Sequence, residues 1–345
     1  MAKEVKRIVP FNDILDALLD HERPFPAAFA HRLSDLPAAD LRELKRIWSQ
    51  ISADRRAALM EDLETLAEAD ALLIFTEIAI MSLADPDPRV RQVAVRMLWE
   101  NQEVSLIPKF IDILKNDDQE IVRAAAATSL GYFVYLGEVE EISPEFTRQV
   151  EEALLATLQS NEEINVQRHS LESLGYSSRP EVKPLIRKAY NSQDNRWLCS
   201  ALYAMGRSAD QVWGPSVSEM LDHSDPEVQF EAVRAAGELE ISAARPILFD
   251  MLDSGLDDEE TRMAAIWSLS QIGGEGVRDK LQTYLDESED ESEMDFIEEA
   301  LNNLYLTDGF DKFVMFDIDL QDEDDLDTVI NLEDEDERNN ENLAS

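Results

Sequence analysis

The residue types that most often bind metals or act as nucleophiles are scarce in this sequence. It contains four histidines and one cysteine. The histidines (His21, His31, His169 and His223) have no metal-ligand spacing to one another or to Cys199. A nucleophilic Cys199 would need a nearby base, and no histidine stands at a useful spacing from it, so we predict that it packs within a helix. The sequence therefore predicts no catalytic residue, no metal site, no cofactor site and no enzymatic activity.

Acidic clusters near the C-terminal end are the remaining candidates for ion binding. Residues 322–327 and 333–337 are rich in Asp and Glu. They lack the glycine-containing loop that shapes an EF-hand, so we interpret them as solvated charge. The sequence also has no glycine-rich phosphate loop, no serine elbow and no zincin helix. Only 11 of the 345 residues are glycine, which favours helices over strands and tight loops.

The net charge of the chain is −43, from 74 acidic and 31 basic residues. Such a chain repels the phosphates of nucleic acids and anionic lipid surfaces, so neither is an expected partner. A protein partner with a basic surface fits better. The charge is uneven, because residues 1–60 are close to neutral whereas residues 286–345 carry 24 acids and two bases. This unevenness argues against a uniform adaptation to a salty cytoplasm.

The sequence predicts a cytoplasmic protein without a membrane segment. A single cysteine allows no intramolecular disulfide, which fits a reducing compartment. The first twenty residues contain no apolar region long enough for a signal peptide. The longest apolar stretch, Ala71–Leu83, is interrupted by Glu77 and is too short to span a bilayer.

A repeat of about 32 residues organises most of the chain. Six similar segments have starts spaced 32, 44, 31, 31 and 33 residues apart, at Val90, Val122, Val166, Trp197, Val228 and Thr261. The long interval places about twelve extra residues in Tyr135–Phe146, which predicts a loop insertion there.

Within each segment the pattern is that of a helix with one buried face. The residue four after the start is small, the residue eight after it is apolar, and the next is small in five of six segments. A glycine near the end suits a helix stop. An Asp-rich or Asp-Pro turn precedes most segments, and a second apolar run follows. Helix–turn–helix units of this kind must stack to bury their apolar faces, so the predicted fold is all-α.

The pattern Asp-Pro-x-Val-Arg-x-x-Ala-x-x-x-Leu-Gly, followed by Ile-Pro-x-Leu or similar, resembles the HEAT repeat, in particular the short bacterial form related to phycobilin-lyase HEAT-like repeats. The resemblance covers Leu83–Leu285, with more divergent helix pairs on either side. It implies an α-solenoid, a superhelical array of antiparallel helix pairs. It also implies a ladder between neighbouring units that involves Asp87, Arg91, Arg123 and Arg262. Departures at Gln167, Leu198 and Gln229 imply that this ladder is incomplete in the middle.

We predict three regions. Residues 1–52 form an N-terminal cap of short helices at Phe11–Leu19, Pro26–Leu33 and Ala38–Ile51. Residues 53–306 form the solenoid. Residues 307–345 form an acidic, largely disordered tail, because Asp317–Ser345 holds 13 acids and one arginine. Apolar residues within Phe310–Leu332 suggest a second hypothesis, in which the tail folds back and competes with a partner.

A binding surface is predicted at the second and sixth positions after each repeat start, which should face the concave side of the array. From Arg168 onward these positions form a stripe of residue types enriched in interfaces. The predicted partner-binding residues are Arg168, Tyr203, Phe230, Arg234, Met263 and Trp267. A small rotation of the helices would instead pack these side chains between repeats.

Three functions follow from these features. The leading prediction is a non-catalytic scaffold that binds a protein partner, with the oligomeric state left open. The resemblance to phycobilin-lyase repeats implies an alternative, a bilin lyase-like enzyme or an accessory subunit of one. A DNA glycosylase of the kind found among HEAT-like arrays would need a basic groove, and this sequence offers only isolated arginines there.

Overall fold

The computed structural model describes residues 9–254 and 258–318, and these contain eighteen α-helices and no β-strand. They divide into two compact units, with the boundary between Asp210 and Gln211. The all-α prediction is confirmed. Residues 319–345, which include almost all of the segment predicted to be disordered (Asp317–Ser345) and part of the segment proposed to fold back (Phe310–Leu332), lie outside the described ones.

The described part of the first unit contains twelve α-helices, of which the later ones form regular pairs. Helices α4, α6, α8, α10 and α12 pack one against the next, and α5, α7, α9 and α11 accompany them. The helices are α1 (Phe11–Leu19), α2 (Ala27–Ala30), α3 (Ala38–Ile47), α4 (Ala53–Ala69), α5 (Thr76–Ser82), α6 (Pro88–Arg96), α7 (Ile107–Asn116), α8 (Glu120–Glu138), α9 (Pro144–Gln159), α10 (Ile164–Leu174), α11 (Val182–Tyr190) and α12 (Asn195–Arg207).

The second unit repeats the same arrangement with three helix pairs. Its helices α14, α16 and α18 pack in series, and each has a partner helix that precedes it in the chain. The helices are α13 (Gly214–Met220), α14 (Pro226–Glu238), α15 (Arg245–Asp253), α16 (Glu259–Ile272), α17 (Val277–Glu287) and α18 (Glu291–Ile318). Helix α18 therefore continues past residue 307, where the tail was predicted to begin.

Aspartates cap the starts of the repeat helices, as their place in the turns predicts. The side chains of Asp87, Asp194, Asp225 and Asp258 each accept a hydrogen bond from a backbone amide in the first turn of the helix that follows. An N-cap of this kind satisfies an amide that has no partner within the helix. Proline occupies the first turn of α6 and α14, where its missing N–H costs nothing.

The predicted buried stripe lies in the core of each unit. In α8, Val122, Ala126 and Leu130 are all 0% exposed. These positions are spaced by four residues and therefore lie on one face of the helix. The small residue in the middle allows the neighbouring helix to approach closely.

Three of the four glycines predicted to mark helix ends lie at helix ends. Gly175 is the C-cap residue of α10, and Gly206 and Gly237 are the penultimate residues of α12 and α14, whereas Gly131 lies inside α8. A methyl group on Gly237 would lie 2.7 Å from the Cα of Ser268, and one on Gly131 would lie 3.1 Å from the Cα of Ser173. The absence of a side chain lets adjacent helices of the series pack in direct backbone contact.

The predicted loop insertion at Tyr135–Phe146 is wrong. Helix α8 extends to Glu138 and α9 begins at Pro144, so a short turn is all that separates them. The extra residues lengthen α8 and α9 to 19 and 16 residues. Gly137 and Pro144 suggested a loop, but glycine is tolerated within a helix and proline is favoured in a first turn.

Arginine ladders link successive helix pairs, but the aspartate of the first link is not the predicted one. Arg91 binds Asp117 (2.7 Å) and Arg123 binds Glu162 (2.8 Å). In the second unit Arg262 binds Glu293 (2.8 Å). Asp87 pairs with Arg89, two residues away, and caps α6. Its predicted place in the ladder is wrong, because the buried Asp85 occupies it.

The glutamines that replace the ladder arginine keep one of its two interactions, the hydrogen bond to the turn before the helix. The Nη1 atom of Arg91 donates to the carbonyl of Asp85 (2.8 Å), which steadies the turn before its helix. In the same way Gln167 donates to the carbonyl of Ser160 (2.9 Å) and Gln229 to that of Leu221 (3.0 Å). In these two repeats the turn is therefore held by the glutamine, without an ion pair to the neighbouring repeat.

Candidate functional site

A cavity of about 980 Å³ lies in the first unit. It is lined by residues of α4, α5, α6, α8 and α10 and by the residues that follow α6. Gln92 and Arg96 of α6 and Ala124 and Thr128 of α8 are among them. These are the second and sixth positions after the first two repeat starts, which the sequence predicted to face a binding surface.

Carboxylates dominate the charge of this cavity. Glu64 forms hydrogen bonds with Arg96, and these raise the pKa of the guanidinium group. The two charges therefore offset each other. Glu68 and Glu100 also line the cavity and form no ion pair within the part of the chain that the structure describes. We call this cavity the acidic groove.

The remaining ionisable residue of the acidic groove is His169. Its Nδ1 atom lies 2.8 Å from a carboxylate oxygen of Glu172. Burial acts to raise the pKa of Glu172, but the hydrogen bond and charge of His169, together with Ser200 and Arg168, outweigh burial and lower it. Glu172 is thus ionised and holds the imidazole in place, so His169 is a positioned side chain of the groove wall.

Large apolar side chains line the acidic groove beside these charges. Trp99 is 48% exposed and Ile121 is 42% exposed. Met97 and Ala125, both half-buried, add apolar surface. A half-open cavity that combines exposed aromatic and aliphatic groups with carboxylates can bury an apolar anchor and a cation side by side.

The six residues predicted to bind a partner are divided between the units. Arg168 and Tyr203 belong to the first unit, and the other four (Phe230, Arg234, Met263 and Trp267) belong to the second. All six are half-buried. The residues are therefore neither an open stripe nor core residues.

Both arginines of this set are engaged in internal bonds. The Nε atom of Arg168 donates to the carbonyl of Arg196 (2.9 Å) and to the hydroxyl of Ser200 (3.0 Å). Arg234 pairs with Glu231 and Glu238 of its own helix. Their aliphatic stems can contact a partner, but their charges are already compensated.

The second position after a repeat start does not always point away from the core. Ala124 is 5% exposed and Cys199 is 7% exposed. In α8 and α12 this position faces a neighbouring helix, so the expectation that it is open is corrected there. Cys199 packs within α12, as predicted.

The described residues contain no group of three or more His, Cys, Asp or Glu side chains arranged to hold a metal ion. Among the helices of these residues, none has the length and apolar character needed to cross a bilayer. The residues that sequence reasoning missed are Trp99, Ile121, Glu64 and Glu68. Trp99 broke the small-residue column of the repeat, which was a signal in the sequence that it does not serve packing.

Comparison with protein families matches the model for HEAT repeats to two stretches, residues 76–143 and 214–302. No curated protein matches the sequence. The unmatched stretch between the two, residues 144–213, contains α9 to α12.

Solved structures with a similar arrangement include three of distinct kinds. The Escherichia coli protein YibA is 17% identical, with 83% of this chain and 98% of that chain covered and a TM-score of 0.44. The complex of CpcE and CpcF of phycocyanin lyase from Nostoc is 18% identical, with 66% and 94% covered and a TM-score of 0.46. Human deoxyhypusine hydroxylase is 17% identical, with 86% and 96% covered and a TM-score of 0.34. Resemblance at this level says nothing about activity or partners.

Proposed function

We propose that this HEAT-repeat chain is a non-catalytic scaffold whose first unit binds a basic segment of a partner protein in the acidic groove. The observation that carries the proposal is the lining of the groove, in which Trp99 and Ile121 are exposed beside Glu68 and Glu100, whose carboxylates form no ion pair with any described residue. Single exposed apolar residues are common, but apolar residues that line one concavity together and are rimmed by charged ones form the kind of patch that marks an interaction site.

Charge complementarity selects the class of partner. Glu68 and Glu100 leave the acidic groove negative, because Arg96 is already compensated by Glu64. The chain as a whole adds a negative field that steers cations toward it and repels phosphates. A segment with lysines or arginines beside an apolar residue would satisfy both parts of the lining.

We further propose the six half-buried residues predicted from the repeat as additional partner contacts, each within its own unit. In the first unit these are Arg168 and Tyr203. In the second they are Phe230, Arg234, Met263 and Trp267. Tyrosine and tryptophan contribute large contact areas with few rotatable bonds, and arginine is enriched at the energetic centres of interfaces, so partial exposure is enough for a contact.

The test uses a fluorescent peptide of alternating Arg and Ser as a defined basic segment. We expect the double variant Glu68→Gln/Glu100→Gln to bind it about fivefold to tenfold more weakly than the wild-type chain, because each exposed charge contributes about 0.5–0.7 kcal/mol. The affinity of the wild-type chain should also fall when salt is raised from about 0.1 M to about 1 M, which shortens the Debye length from about 10 Å to about 3 Å. Fluorescence anisotropy measures both effects.

The matched control is the double variant Asp112→Asn/Glu145→Gln. It removes the same net charge from the first unit, and both residues are exposed and outside the groove. It should change the affinity by less than about twofold. Equal losses in the two double variants, or no binding of the peptide to the wild-type chain, would contradict the proposal.

A further inference from the structure

Five aromatic side chains of the first unit form a row across successive helices. Trp99 follows α6, Tyr132 and Tyr135 lie in α8, Tyr176 follows α10, and Tyr203 lies in α12. The ring centroids of Trp99 and Tyr132 are 6.4 Å apart, those of Tyr132 and Tyr135 are 6.0 Å apart, and those of Tyr135 and Tyr176 are 5.4 Å apart. We call this set the aromatic row.

The far end of the aromatic row already holds a guanidinium group. The Cζ atom of Arg207 lies 4.7 Å from the ring centroid of Tyr176 and 4.3 Å from that of Tyr203. A planar cation between two rings gains from the negative charge of both ring faces. This arrangement shows, within the protein itself, which chemical group the row accommodates.

The near end of the row is accessible and is not needed by the core. Trp99 is 48% exposed and Tyr135 is 40% exposed, whereas the core aromatics Phe110 and Phe133 are 0% exposed. The hydroxyl of Tyr132 accepts a hydrogen bond from Gln102 (3.2 Å), so its ring is held in the row from outside the core. Aromatic rings fixed in this way lose little entropy when a ligand binds.

Carboxylates flank the row residues in the sequence. The segment after α6 carries Glu100 and Glu103, and the end of α8 and the turn after it carry Glu138, Glu140 and Glu141. Glu138 accepts a hydrogen bond from the backbone amide of Ser178 (2.8 Å), just beyond the row residue Tyr176. These charges favour a cation at the ring faces.

We infer that Trp99, Tyr132 and Tyr135 bind guanidinium groups of the partner segment, so that the site selects arginine over lysine. The inference rests on the proposed function, because Trp99 belongs both to the aromatic row and to the acidic groove. A guanidinium group is flat and weakly hydrated and stacks on a ring, whereas an ammonium group is compact and strongly hydrated. The carboxylates of the groove attract any basic segment, and the aromatic row makes the site bind arginine more tightly than lysine.

The test compares two peptides that differ in the cation alone, one of alternating Arg and Ser and one of alternating Lys and Ser. We expect the wild-type chain to bind the arginine peptide about tenfold more tightly. The double variant Trp99→Leu/Tyr135→Leu keeps apolar side chains but removes the ring faces. It should bind both peptides with the affinity that the wild-type chain has for the lysine peptide.

The control variant is Phe146→Leu, which removes a half-buried ring of α9 that lies outside the row. It should keep the preference for arginine. Equal binding of the two peptides by the wild-type chain would overturn the inference and leave the proposed function standing. Failure of both peptides to bind would overturn the proposed function as well. A preference that survives in Trp99→Leu/Tyr135→Leu would also overturn the inference.

Discussion

Replacing Asp85 by alanine is expected to lower the free energy of unfolding by about 3–5 kcal/mol, because it leaves a buried arginine without its partner. The carboxylate of Asp85 accepts hydrogen bonds from Arg56 Nε (2.8 Å), Arg56 Nη2 (3.0 Å) and Trp48 Nε1 (2.7 Å). Asp85 is 4% exposed and Arg56 is 5% exposed. Water therefore cannot replace the lost carboxylate. The bonds also join the N-terminal helices to the first repeat.

Urea denaturation followed by circular dichroism measures this loss. The control is Asp118→Ala, which removes an aspartate that pairs with Arg91 at the next junction but whose side chain is 76% exposed. A solvated pair of this kind contributes less than about 1 kcal/mol. A similar small loss in both variants would mean that Asp85 and Arg56 are not a buried ion pair.

The variant Gly175→Ala is expected to lower the free energy of unfolding by about 1–3 kcal/mol, as overpacking does. A methyl group at this position would lie 2.8 Å from the Cα atom and 2.9 Å from the carbonyl oxygen of Ala204. These are backbone atoms of α12, so the steric clash can be removed only if α10 and α12 move apart. Closely packed helices resist such a movement because it opens gaps along the whole contact.

Gly214→Ala is the matched control for this effect. No heavy atom lies within 4 Å of the added methyl group at Gly214, which lies at the start of α13. Alanine is the better helix former, so this variant should be as stable as the wild-type chain or slightly more stable. Thermal and urea unfolding of both variants give the comparison. If Gly175→Ala causes no loss, close backbone contact is not what requires the glycine.

Local signals explain why the helices could be predicted from the sequence. Helix α1 occupies the predicted residues Phe11–Leu19, and α4 occupies Ala53–Ala69. Proline and serine directly before these helices, and an apolar residue every three or four positions within them, act over a few residues. The fold class follows, since helices with one apolar face must stack.

Features that depend on distant contacts were predicted less well. Asp87 and Asp85 lie two residues apart in the same turn, and the burial of Asp85 against Arg56 decides which one joins the ladder. The recurring glycine near the end of the repeat helices is likewise required by close contact with the next helix, and the sequence of one repeat does not reveal that contact. The boundary between the two units at Asp210 and Gln211 has no composition signal, because the repeat spacing continues across it.

The repeat positions that line the candidate site could be predicted from the sequence, but the repeats that carry it could not. The repeat frame identified Gln92, Arg96, Ala124 and Thr128, which line the acidic groove. The residues from Arg168 onward were chosen because their residue types are common in interfaces. Residue type alone does not show that Arg168 and Arg234 already bond to neighbouring groups of the protein. Trp99 stands where the other repeats carry a small residue and is 48% exposed, but the sequence pattern does not show that it lines a groove.

The measurement that tests the central claim most directly is photo-cross-linking with the Arg–Ser peptide. One variant carries a photo-reactive residue in place of Thr128, which is exposed and lines the acidic groove. The other carries it in place of Lys109, which is exposed on α7 and does not line the groove. A basic segment in the groove should cross-link at position 128 and not at position 109. A peptide that binds the chain but cross-links at position 109 alone, or equally at both, would contradict the account.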